Sequence, residues 1–134
     1  MRKRIFIILI ALSCVIWIAF FAMIVDTKDV LQYVSDVFSG EIPTEQTAGT
    51  PLEPHNNYRY HCDGWAEHSS AFVLPLFSFH DGHQGDIWFL YSYSGRDWNG
   101  DTLYGTFLTL GHLEIQKNGS SWDILAMHEY PETP

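Results

Sequence analysis

Residues Ile5 to Val25 form a run of 21 residues without a charge, almost all of them apolar. Roughly 20 such residues, rising about 1.5 Å each, cover the hydrocarbon core of a bilayer as a helix. A secretory signal has a shorter apolar region, about 7 to 15 residues, followed by small residues at a cleavage site. Here Phe20 and Phe21 interrupt the small-residue pattern around Ala19 and Ala22. The run therefore reads as an uncleaved signal-anchor that places the chain in a membrane. Arg2, Lys3 and Arg4 all precede it, and Asp26, Lys28 and Asp29 follow it. The positive-inside rule then puts residues 1–4 in the cytoplasm and the rest of the chain on the other side.

Charge divides along the same line. Of the seven Lys and Arg, only Lys28, Arg59, Arg96 and Lys117 follow the anchor, whereas all 16 acidic residues do. Such a surface lacks the clustered cations that phosphate backbones require, which excludes nucleic acid as a partner. An acidic domain is suited to steering a basic protein partner or a cation towards itself. Cys14 lies inside the anchor and Cys62 is alone beyond it, so no intrachain disulfide can hold the exported part together.

Residues 26–40, "DTKDVLQYVSDVFSG", predict a juxtamembrane amphipathic helix. Val30, Leu31, Val34, Val37 and Phe38 recur at three- and four-residue spacing, and Gly40 stands where a helix ends. Residues 41–57 hold three prolines and three glutamates without a period, the composition of a flexible linker. From 58 to 134 the pattern changes to strands. Five are expected: "YRYHC", "SAFVLPLFSF", "DIWFLYSYS", "TLYGTFLTLGHLEIQK" and "SWDILAMHEY". Pro75 confines the second to a sheet edge or a bulge. Asn99-Gly100 and Asn118-Gly119 mark hairpins. The expected fold is thus mainly β: a transmembrane helix, a short amphipathic helix, then a small antiparallel meander, either barrel-like or a curved sheet.

The segment "HDGHQGD" raises the question of chemistry. Zinc takes four nitrogen and sulfur ligands, often presented as closely spaced pairs by one loop. His80 and His83 would form one pair, and Cys62 with His68 the other, for zinc or another transition metal. The simpler reading makes His80 to His83 a polar hairpin loop. "DWNGD" alternates Asp97, Asn99 and Asp101 as a calcium loop begins, but Thr102 and Leu108 stand where such a loop needs glycine and glutamate. A tight turn explains it better, with Trp98 at the tip and Asp97 and Asp101 beside it as candidates for partner contact. No nucleophile elbow, zinc-protease helix or phosphate loop is present, and His61 and Cys62 would point to opposite faces of a strand. The leading expectation is an anchored binding protein, an accessory subunit of an envelope complex or an inhibitor or immunity-type protein. A histidine-rich metal-binding or metal-sensing domain is the alternative.

Overall fold

A computed structural model describes residues 1–58 and 66–131. The chain opens with helix α1, Arg2–Asp26, and passes almost without a break into α2, Lys28–Ser39. After a short helix α3, Thr44–Thr47, and a 3-10 turn at Glu53–His55, four strands follow: β1 His68–His80, β2 Gln84–Arg96, β3 Thr102–Asn118 and β4 Ser121–Tyr130. They pair antiparallel in chain order as an open sheet. The meander is therefore a sheet with two free edges, not a closed barrel. The first expected strand, at 58–62, lies outside the described residues apart from Tyr58.

Pro75 has the effect its missing N–H requires. β1 is an edge strand, and its register against β2 shifts between Pro75 and Phe77. The hairpins turn where expected. In the β2–β3 turn the Asp97 carboxylate accepts the backbone N–H groups of Asn99 and Asp101 at 2.9 and 3.0 Å, while Gly100 takes a φ of +86°. Asp97 therefore shapes the turn through one carboxylate oxygen.

The amphipathic stripe of α2 covers one face of the sheet. Val34, Val37 and Phe38 are fully buried against Ile87, Phe89 and Tyr91 of β2 and Leu113 and Ile115 of β3. Alternate residues of β2 point to this face, as the two-residue period of a strand requires. Gly40 ends α2 in the left-handed region at φ +81°, and the Glu41 N–H bonds back to the Asp36 carbonyl. Any other residue would be strained there, and a Cβ would also meet the Asn57 carbonyl at 3.1 Å.

Residues 41–57 differ from the linker that their composition suggests. Leu52 is buried in the same core as α2. Buried Asn56 bonds through its amide to Thr47 Oγ1 at 2.8 Å and to the Ile42 carbonyl at 3.0 Å. The Asn57 amide donates to the Phe38 carbonyl at 2.8 Å. Pro43 and Pro54 sit at the starts of the two short helical turns, where no backbone donor is needed. Two apolar side chains, Leu52 and the partly buried Ile42, and the satisfied amides hold this polar segment on α2.

His55 closes it onto the sheet. Its Nδ1 lies 3.4 Å from Glu129 Oε1, and its ring packs on Phe38. Tyr91, buried in the core, donates its hydroxyl proton to the same Glu129 carboxylate. Burial holds the His55 pKa below its ordinary value of 6.5, although Glu129 pulls it the other way. The folded chain therefore binds fewer protons than the unfolded chain between that lowered pKa and 6.5, so stability rises with pH across this window. Acidification below 6.5 should lower the melting temperature more in the wild type than in His55→Gln. Parallel pH profiles for the two proteins would contradict this role.

Candidate functional site

α1 is long and apolar enough to cross a membrane, and none of its residues is buried. Its C-terminal turns are nevertheless tied to the hairpin end of β1. Thr27, completely buried at the α1–α2 junction, lies 3.0 Å from the Met23 carbonyl oxygen and 3.1 Å from Ser78 Oγ through its hydroxyl. The Phe20 ring meets Phe79 edge-on at 4.9 Å. His80 Nε2 lies 3.2 Å from Asp26 Oδ2, and its ring stands 4.8 Å from that of Trp122.

This arrangement answers the question posed by "HDGHQGD". Asp81 Oδ1 accepts the backbone N–H groups of His83 and Gln84, both at 2.8 Å. These bonds hold its carboxyl below the usual carboxylate range, and they make the segment a hairpin turn. His80 turns towards α1, and His83 is exposed in the loop. His68 begins β1, a strand of 13 residues that ends at His80, so it stands about 40 Å away at about 3.3 Å per residue. The proposed ligand set is therefore not brought together, because its members occupy opposite ends of one extended strand. Cys62 lies outside the described residues. Among the described residues, no three His, Cys, Asp or Glu side chains are grouped to hold a metal ion. Trp98 is 79% exposed at the tip of the β2–β3 turn, at the end of the sheet far from α1. Asp101 is exposed beside it.

Two features escape a reading of the sequence. The first is a cleft of ≈ 700 Å³ where the α1–α2 junction, residues 50–52 and the start of β4 converge. Asp26 and Asp29 line it, together with Tyr33 and Trp122; Asp123 borders it, but its carboxylate accepts the Asn118 amide at 2.9 Å on the opposite face of the sheet. No Lys or Arg lines it among the described residues. Lys117 instead lies against the Trp122 ring, its Nζ 4.6 Å from the centroid. Trp122 Nε1 is buried without a hydrogen-bond partner. Carboxylates beside aromatic faces suit a cationic group, which gains from both. The volume falls in the range of sites that enclose one side chain or small ligand.

The second is the sheet face opposite α2. Its central row runs across all four strands as Phe77, Trp88, His112 and His128. Trp88 and His112 stack with centroids 4.3 Å apart and planes 8° from parallel, and His112 and His128 stack at 5.4 Å. Each imidazole is engaged by a carboxylate: His112 Nε2 lies 2.7 Å from Asp86 Oδ1, and His128 Nε2 lies 3.1 Å from Glu114 Oε1. The neighbouring row is Leu74, Leu90, Leu110 and Tyr130.

No protein-family model matches the chain, and no curated protein matches it in sequence. The functional reading rests on this geometry alone.

Proposed function

We propose that the chain is a single-pass membrane protein that captures a basic segment of a protein partner on the extracytoplasmic side. In this reading residues 1–4 are cytoplasmic, α1 is the anchor, and the remainder acts as an accessory subunit or as an inhibitor or immunity-type protein. The observation that carries it is the cleft beside the end of the apolar helix, where Asp26, Asp29 and two aromatic rings line a space that no basic side chain of the described residues lines. A lysine or arginine from a partner fits it: the head beside Asp26 and Asp29, the apolar stem along Tyr33 and Trp122. The surplus of acidic residues beyond the anchor speeds the encounter.

The test places a photo-crosslinking amino acid at Tyr33 of the full chain in native membranes. Partner adducts should form at low salt, fade as ionic strength shortens the Debye length, and vanish when Asp26 and Asp29 are both replaced by asparagine. Adducts unchanged in high salt and in the double variant would remove the cleft from the account. In the same membranes, external protease should digest the β-domain and spare the N-terminus, and the opposite pattern would reverse the orientation.

A further inference from the structure

We propose that the sheet face opposite α2 is the interface of a symmetric homodimer, two sheets closing face to face as a sandwich. Among the described residues nothing lies over this face except at one corner, where Phe20 of α1 reaches Phe79. Phe72, Leu74 and Phe79 of β1 are 51%, 43% and 45% exposed on it, and Trp88, Leu90 and Leu110 beside them are half-buried, an apolar patch of the kind that marks an interaction surface.

Size and symmetry select a second copy as the occupant. Four strands about 4.8 Å apart, each of about 12 residues at about 3.3 Å, give a face of roughly 750 Å². A stable interface uses roughly 800 Å² from each partner. A two-fold axis parallel to the strands, between β2 and β3, lays every cross-strand row on the same row of the other copy. The row of Leu74, Leu90 and Leu110 then meets itself, with Leu90 of each copy against Leu110 of the other. Trp88 of each copy likewise faces His112 of the other, an aromatic ring against an imidazole. The axis also sets Asp86 of each copy opposite Glu114 of the other, so this row forms the polar margin of the interface, where each carboxylate keeps its contact with an imidazole of its own chain, His112 at 2.7 Å and His128 at 3.1 Å. The same axis lets both α1 helices leave from one end of the pair, so a shared membrane brings the faces together rather than holding them apart. The cleft of the proposed function lies on the α2 side and stays open in the dimer, so either reading can fail without the other.

The experiment is sedimentation equilibrium of the full chain in detergent, with Leu90→Arg and Leu110→Glu prepared separately and mixed. The wild type should be a dimer. Each variant alone should dissociate at least about 30-fold more readily, as expected for a central interface position, with an unchanged circular dichroism spectrum. Mixing the two variants should restore a heterodimer, because one Leu90–Leu110 contact becomes an arginine–glutamate pair and the other is untouched. Recovery on mixing excludes misfolding as the cause of the loss. A monomeric wild type would overturn the proposal, and so would a dimer indifferent to Leu90→Arg, which would place the contact elsewhere, as in α1. Mixed variants that stay monomeric would overturn the stated symmetry.

Discussion

Phe38→Ala should remove about 3–5 kcal/mol of stability, the usual cost of deleting a buried phenylalanine. The side chain is fully buried at the last turn of α2, with ring centroids 4.8 Å from Tyr91 and 5.4 Å from Tyr93. It also forms the wall on which His55 packs, so its loss loosens the 41–57 segment as well as the helix. A domain of this size has only about 5–15 kcal/mol in total. At roughly 4–8 °C per kcal/mol, the melting temperature should fall by more than about 12 °C. Phe107, 82% exposed, provides the control, since alanine there should change little. A variant lacking Phe38 that melts within about 2 °C of the wild type would show that α2 does not cover the sheet.

Gly111→Val tests packing against propensity, because the two predict opposite signs. Valine is preferred over glycine in strands, by up to about 1 kcal/mol in host proteins. At position 111, however, a Cβ would lie 2.5 Å from the Phe89 Cζ and 2.9 Å from both Cε atoms. Phe89 has no exposed surface, so its ring has nowhere to move without displacing α2. The expected result is destabilisation of about 1–3 kcal/mol, the cost of overpacking a full core. Phe89→Leu in the same chain should recover part of the loss by vacating that space. A more stable Gly111→Val protein would mean that Phe89 does not lie over position 111.

Much of the fold was legible because its signals are local. The stripe from Val30 to Phe38, the alternation in β2 and the asparagine–glycine turns each depend on a few neighbouring residues, and each reappears in place. What failed depends on distance. Composition made residues 41–57 a linker, yet Leu52, Ile42 and three amide bonds hold them, which no average over a window detects. The loop "HDGHQGD" invited a metal site, but His68 belongs to the far end of the strand that His80 finishes.

The stacked histidines show the limit most clearly. Counting outwards from Asn118-Gly119, a regular hairpin pairs Lys117 with Trp122 and Ile115 with Ile124, and would go on to set His112 against Met127. A bulge after Ile124 shifts the register by one, so His112 meets His128 instead. One extra residue in a strand exchanges the faces of all that follow, and nothing in "DILAM" announces it. The cleft was hidden for a related reason, since its lining residues come from α1, α2, residues 50–52 and β4 and meet only once the sheet has folded back on the helices.

In the proposed topology the junction at Thr27 gives the protein a bracket where its composition suggested a leash. A flexible tether would let the domain sweep a hemisphere and meet partners at any height. Here the anchor's last turns are fastened to β1 through Ser78, Phe79 and His80, so in the proposed topology the 81–83 hairpin is pinned at the bilayer surface. Trp98 is held about 40 Å above it by the length of a strand. Under the proposed function such a molecule would select by altitude: the cleft would meet only what lies flat on the membrane, and the tryptophan tip only what stands a fixed distance over it.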